Sequence, residues 1–132
     1  MVNRGTALLR ILMGIVFLSA AVYRIFNPDD AAAEMASLNL PQLLMFPMIA
    51  LELLMGVLLL LGRYLQVVLP SAIGLMVLAN GIGLWKNAAT IAQTAGTLFV
   101  FDATATDAVL HLTFTIILIA LLLSVQQRHE KT

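Results

Sequence analysis

Residues 7–26 read ALLRILMGIVFLSAAVYRIF, an apolar run with one arginine near each end. A helix of about 20 residues is long enough to cross the hydrocarbon core of a bilayer. The run stops at the polar cluster Asn27-Pro28-Asp29-Asp30, because proline cannot continue a helix and Asn and Asp favour turns. We therefore interpret residues 7–26 as a transmembrane helix that is retained in the protein and not cleaved off as a signal peptide.

Three further apolar segments indicate that the chain crosses the membrane four times. They cover residues 42–62, 64–85 and 108–125. An acidic loop containing Asp29, Asp30 and Glu34 is expected after the first span. An outer loop is expected over residues 86–107, with an interfacial segment at 98–101. The pattern predicts an all-α fold, a single domain over residues 1–132 built as an antiparallel bundle of four transmembrane helices.

The composition supports a membrane protein and narrows its chemistry. Of the 132 residues, 61% are hydrophobic and 11% are charged. Soluble domains average about 45–50% apolar and about 25% charged residues, so a water-soluble enzyme is excluded. The net charge is zero, which gives no attraction for nucleic acid. Without cysteine and with two histidines, no metal site is predicted, and redox chemistry would need a diffusible cofactor or a partner subunit.

The distribution of basic residues predicts the orientation in the membrane. With both termini in the cytoplasm, most lysines and arginines lie inside, as the positive-inside rule requires. The inside set is Arg4, Arg10, Arg63, Arg128 and Lys131, and the outside set is Arg24 and Lys86. We therefore expect an N-in, C-in protein of the plasma or inner cell membrane.

One face of the first helix carries two charges with small side chains between them. Its members follow each other at helical spacings of three and four residues. They are Arg10, Gly14, Phe17, Ala21 and Arg24. Because small residues let helices approach closely in a membrane, this face is expected to pack against another helix.

Glu52 lies near the middle of the second span and is followed one turn later by Gly56. An isolated carboxylate at that depth is costly, so we expect it to face the bundle interior. Side chains on a helix lean towards its N-terminus, so Arg24 converges on Glu52, whereas Arg10 leans away. We predict an Arg24–Glu52 pair, a close helix contact through Gly14 and Gly56, and a snorkelling cytoplasmic anchor at Arg10.

Other polar side chains are expected in the same outer half of the bundle. They are Tyr23, Asn80 on the third span, and His111 one turn after Asp107 on the fourth. Together with the predicted ion pair they form a candidate pocket that opens outwards and could hold a quinone headgroup, a small polar solute or protons in transit. Plainer interpretations remain open: the ion pair fastens the helices, Asp107 caps the fourth span, and His111 is a hydrogen-bonded interfacial residue.

Two stretches of the sequence resemble the DoxX-like family of small membrane proteins. Residues 8–28 carry an arginine, a glycine four residues on, a phenylalanine, a small residue and a basic residue before a turn, as in that family's first helix. Residues 50–63 are similar to its second helix, with a glutamate and a run that ends in glycine. Position 24 differs, since the family more often has lysine there. The resemblance implies a four-helix membrane domain with Arg10, Arg24 and Glu52 as its characteristic polar positions.

The function expected from these features is that of a multi-pass accessory or anchoring subunit. The family takes its name from a subunit of an archaeal thiosulfate:quinone oxidoreductase, so the resemblance implies a redox or quinone-linked setting. The expected partners are the lipid bilayer, a redox subunit and a second copy of the chain. One alternative is a catalytic subunit of that enzyme type, in which Arg24 stabilises charge on a quinone oxygen and Glu52 or His111 moves protons. Another is a small proton-coupled transporter that uses Glu52.

Overall fold

The computed structural model describes the backbone of residues 4–94 and 103–129 and the side chains of residues 4–91 and 108–127. All regular structure in these residues is helical, which confirms the predicted all-α class. The helices are α1 (Arg4–Phe26), α2 (Pro28–Ser37), α3 (Met45–Leu61), α4 (Leu65–Thr94) and α5 (Ala103–His129), and a short 3₁₀ turn (Gln42–Leu44) leads into α3.

Four helical segments are long and apolar enough to cross a membrane, as the sequence predicts. They are Arg4–Phe26, Gln42–Leu61, Leu65–Ile91 and Ala108–Gln127. Most residues of each segment lie on the molecular surface. An apolar surface of this extent suits contact with lipid chains rather than with water.

The expected acidic loop after the first span is a helix, so that prediction is wrong. Asn27 has non-helical dihedral angles and separates α1 from α2, which starts at Pro28. Proline is favoured at the first position of a helix, and Asp29 and Asp30 in the first turn interact favourably with the helix dipole. Residues 27–30 therefore end one helix and begin the next.

The prediction of an outer loop over residues 86–107 is wrong at both ends, where the chain is helical. Helix α4 continues to Thr94 and α5 begins at Ala103. Polar residues at the end of α4 make it unsuited to lipid but do not prevent backbone hydrogen bonding in a helix. Asp107 therefore lies within α5 rather than at its start, and the interfacial segment expected at 98–101 falls outside the described residues.

The bundle consists of two helix pairs, α1 with α3 and α4 with α5. A core at the middle of the bundle joins both pairs. It contains Met13, Phe17, Met55, Leu59, Val68, Leu69, Ala72, Met76, Leu118 and Leu121. A second, smaller cluster packs Ala31 and Met35 of α2 against Met45 at the start of α3.

Helices α1 and α3 run antiparallel and approach closely where the two glycines predicted from sequence lie. A Cβ atom on Gly14 would lie 2.9 Å from Leu60 Cδ2 and 3.1 Å from the Gly56 carbonyl oxygen. A Cβ atom on Gly56 would lie 2.7 Å from Leu18 Cγ. Neither position has room for a larger side chain, so this crossing fixes how α1 presents its polar face to α3.

Candidate functional site

Arg24 lies between two carboxylates, one on α2 and one on α3. Its Nη1 donates to both carboxylate oxygens of Glu52 at 2.8 Å. Its Nε and Nη2 donate to the two oxygens of Glu34 at 3.0 and 2.8 Å. The structure thus brings Arg24 and Glu52 together and adds Glu34 as a second partner. Glu34, Arg24 and Glu52 form the ion cluster.

The ion cluster extends from the surface into the bundle. The exposed fraction of the side chain falls from 43% for Glu34 to 17% for Arg24 and 6% for Glu52. Glu52 belongs to the buried face of α3, which also carries Met55 and Leu59. A carboxylate in such surroundings is costly unless it is paired. The two Nη1 hydrogen bonds provide that pairing, and the cluster has one more negative than positive charge when all three groups are ionised.

Helix α2 lies across this end of the bundle and is attached on both sides. Tyr23 Oη donates to Asp30 Oδ2 at 2.8 Å, which ties α2 to the end of α1. Lys86 Nζ donates to the Ser37 carbonyl oxygen at 2.6 Å, which ties the other end of α2 to α4. These contacts, with the apolar cluster beneath α2, hold Glu34 in position against Arg24.

A cavity of about 300 Å³ adjoins the ion cluster. Arg24 contributes the one ionisable side chain in its wall, and the other lining residues are apolar. They are Ile25, Pro28, Met45, Phe46, Ile49, Ala50 and Leu53. This Arg24 cavity can receive an amphipathic ligand that has an apolar body and a hydrogen-bond acceptor.

Asn80 and His111 line a different and smaller cavity, of about 40 Å³, between α4 and α5. The Thr115 hydroxyl donates to the His111 carbonyl oxygen at 2.7 Å. Tyr23 is 56% exposed and is bonded to α2. The residues predicted to form one pocket are therefore distributed over two places, with Arg24 and Glu52 in the first and Asn80 and His111 in the second.

Arg10 lies at the opposite end of α1, against the turn that follows α3. Gly62 ends α3 there with a left-handed φ of 68°. A Cβ atom on Gly62 would lie 2.7 Å from Arg10 Cζ, so the guanidinium occupies the space of a side chain. Within the described side chains no group of three His, Cys, Asp or Glu residues is placed to hold a metal ion.

Glu34 is the member of the ion cluster that sequence reasoning misses. The signal for it is the start of α2, where proline at the first position and acidic residues in the first turn are typical of a helix N-terminus. Had residues 28–37 been read as a helix, Ala31 and Met35 would fall on one face and Glu34 beside it. A second carboxylate near Arg24 could then have been expected.

Comparison with known proteins supplies the family. The model of the DoxX family matches residues 5–85, a stretch that includes all three members of the ion cluster and the α1–α3 crossing. Neither the curated proteins nor the solved structures contain a significant match to the chain. The matched stretch covers more than half of the sequence, so the chain belongs to the DoxX family of membrane proteins.

Proposed function

We propose that this protein is a membrane accessory subunit of a quinone-linked redox system and that the Arg24 cavity receives the quinone headgroup. The observation that carries the proposal is that Arg24 is the one charged residue lining an otherwise apolar cavity, most of whose wall belongs to membrane-spanning helices. A quinone has a matching chemistry, since its ring and tail are apolar and its two carbonyl oxygens accept hydrogen bonds.

The size and position of the Arg24 cavity support this ligand class. A cavity of about 150 Å³ is known to hold benzene, and this one has about 300 Å³. Phe46 and Ile49 in its wall would pack against the ring. The second N–H of Arg24 Nη2, whose other N–H bonds to Glu34, would donate to a carbonyl oxygen. Glu34 and Glu52 hold the guanidinium in one orientation, so it is positioned before any ligand arrives.

The electrons would come from a partner. The chain has no cysteine and two histidines, so it lacks the side chains that usually ligate iron–sulfur clusters and most haems. A bound quinone supplies an acceptor for two electrons and two protons. The role of this chain is to anchor the partner at the membrane and to position the quinone headgroup near it.

Ligand binding can be tested by filling the Arg24 cavity. The affinity of the purified protein for a short-chain benzoquinone is measured in an uncharged detergent. We expect Ala50→Trp, a substitution in the cavity wall, to weaken binding about tenfold or more. Val57→Trp is the matched control, because Val57 is exposed about two turns further along the same face of α3 and does not line the cavity. Equal affinity of the two variants, or no binding by the unmodified protein, would contradict the proposal.

The accessory role can be tested separately from the ligand. Affinity purification in mild detergent should recover a flavin-, haem- or iron–sulfur-containing protein, and deletion of this chain should lower the amount of that partner in the membrane. Quinone reduction by the purified chain alone, lost in Glu52→Gln, would instead identify a catalytic subunit. Solute flux into liposomes that contain this chain alone would identify a transporter.

The proposed orientation places α2 and the ion cluster on the outer side of the cell membrane. Because the chain has no cysteine, single cysteines report their side of the membrane without interference. A membrane-impermeant maleimide should label Ala33→Cys on α2 in intact cells and should not label Gln66→Cys near the start of α4, although both positions are exposed. The reverse pattern would overturn the orientation and leave the ligand proposal to its own test.

A further inference from the structure

A third cavity lies at the opposite end of the bundle from the ion cluster. It has a volume of about 190 Å³ and receives residues from all four membrane-spanning helices or the turns at their ends. Its lining consists of Thr6, Ala7, Arg10, Leu61, Gly62, Leu65, Ser124 and Val125. This Arg10 cavity shares no residue with the Arg24 cavity and belongs to a different part of the molecule.

The backbone around Gly62 makes room for the Arg10 guanidinium. Gly62 has a left-handed φ of 68°, which side chains other than glycine adopt rarely. A Cβ atom there would lie 2.7 Å from Arg10 Cζ and 3.4 Å from Nη2. The half-buried guanidinium therefore lies directly against the turn between α3 and α4, at the wall of the cavity.

Two of the three polar side chains that line this cavity have no protein acceptor within the described part of the chain. Arg10 makes no ion pair or hydrogen bond there, and neither does the hydroxyl of Thr6, one turn earlier on the same face of α1. The third polar side chain, Ser124, already donates to the Ala120 carbonyl oxygen at 2.8 Å. Arg10 and Thr6 are thus two adjacent donors that face a cavity without a partner for either.

The described charged side chains around the cavity are of one sign. Arg4 and Arg63 lie at the same end of the bundle and are exposed. The described acidic side chains, Asp29, Asp30, Glu34 and Glu52, lie on α2 or in the ion cluster. Of the charged side chains that the structure describes, an anion at the Arg10 cavity would therefore meet only basic ones nearby.

We infer that the Arg10 cavity binds a phosphate oxyanion, carried either by an anionic phospholipid headgroup or by a free phosphate. The planar guanidinium of arginine matches two phosphate oxygens at once, and the Thr6 hydroxyl can donate to a third. Ala7, Leu61, Leu65 and Val125 provide an apolar wall that suits the glycerol and acyl portion of a lipid. This site is independent of the proposed quinone function, because it shares no residue with the ion cluster or with the Arg24 cavity.

The inference is tested by binding to two probes in an uncharged detergent. One probe is short-chain phosphatidylglycerol, with phosphatidylcholine of the same chain length as the neutral control, and the other is inorganic phosphate at constant ionic strength. Arg10→Gln should weaken phosphatidylglycerol binding about tenfold or more, since it removes a charged donor pair. Arg4→Gln, an exposed arginine at the same end, should change it less than about twofold.

The outcomes separate the two sources of the oxyanion. Competition by inorganic phosphate would assign the site to a free phosphate, and binding of phosphatidylglycerol without such competition would assign it to a lipid headgroup. Equal weakening by Arg4→Gln and Arg10→Gln, or equal affinity for phosphatidylglycerol and phosphatidylcholine, would overturn the site. If Arg10→Gln does not fold, Arg10→Lys and Thr6→Val replace it. Each should still weaken binding several-fold, and unchanged affinity in both would equally overturn the inference.

Discussion

Arg10 and Arg24 stand on the same face of α1, about four helical turns apart, and their surroundings are opposite. Arg24 donates to two carboxylates, and a short helix covers it. Arg10 faces a cavity and has no acceptor in the described chain. The same residue type on the same face therefore has two different roles, which are decided by the helices that pack against each end.

The difference follows from the depth of the acidic partner. Glu52 is 5% exposed and lies within a membrane-spanning helix, so the free energy of burying its charge must be offset locally. Arg24 provides that offset through Nη1. Its other two nitrogens, Nε and Nη2, donate to Glu34. Arg10 has no buried carboxylate beside it, so its donors remain available to a molecule from outside the chain.

The largest effect is expected when Arg24 is removed, because Glu52 is then left buried and unpaired. Arg24→Leu should lower the free energy of unfolding in detergent by about 3–5 kcal/mol. The matched variant Arg10→Leu should cost about 1 kcal/mol or less, because no buried charge loses its partner. Chemical unfolding in mixed micelles measures both.

A double variant sharpens this prediction. Arg24→Leu combined with Glu52→Leu should recover most of the lost stability, because the unpaired charge is removed together with its partner. Fully additive losses for the two substitutions would contradict a direct energetic link between these residues. Similar losses for Arg10→Leu and Arg24→Leu would remove the contrast between the two ends.

The crossing of α1 and α3 lies between the two arginines and positions both of them. Gly56→Ala would place a Cβ atom 2.7 Å from Leu18 Cγ and 3.0 Å from the Leu18 backbone nitrogen. The helices must then separate, and we expect a loss of about 1–3 kcal/mol in the free energy of unfolding. Gly74→Ala is the matched control, since a Cβ atom on Gly74 meets nothing within 4 Å. A loss at Gly74 equal to that at Gly56 would show that close packing is not the cause.

The sequence predicts the four spans and the Arg24–Glu52 pair well, and it predicts the neighbours of the other polar residues poorly. The four spans follow from hydropathy, because a lipid-embedded backbone requires about 20 apolar residues in each helix. The pairing of Arg24 with Glu52 follows from the depth of the carboxylate and from the direction in which helical side chains lean. Both inferences use only distance along a helix axis, which the sequence supplies directly.

The rotation of each helix about its own axis is harder to predict from sequence. The prediction of a single pocket depends on that rotation. Asn80 and His111 line a cavity between α4 and α5 and not the Arg24 cavity. In spans that are apolar nearly all round, polarity does not say which neighbour each face meets. Helix α2 is not predicted for another reason. A Pro-Asp-Asp segment is compatible with a turn or a helix start, and the helix is favoured by the burial of Ala31 and Met35 in one apolar cluster with Met45.

A substitution of Glu34 tests whether helix α2, which covers Arg24, helps to fix the position of the Arg24 guanidinium. Its side chain is 43% exposed, so solvent screens the pair, and Glu34→Gln should cost only about 0.5 kcal/mol in the free energy of unfolding. Quinone binding should respond more than stability does, because the guanidinium gains freedom to rotate. Asp29→Asn, on the same helix, is the control for loss of a charge. If both substitutions leave quinone affinity unchanged, Glu34 does not orient Arg24 for a ligand.

The smallest expected effect concerns the two exposed tyrosines, one at each end of the bundle. Tyr23 donates to Asp30 and so ties α2 to α1, whereas Tyr64 is 69% exposed next to the turn at the Arg10 end. Tyr23→Phe keeps the aromatic ring at the membrane interface and removes only the hydrogen bond. Amide hydrogen exchange in α2 should then become about two- to threefold faster, because local opening of α2 costs less. Tyr64→Phe should leave exchange in α2 unchanged. An equal increase in both variants would mean that loss of a hydroxyl loosens the bundle as a whole, and α2 would then not be held as a cover by its contact with α1.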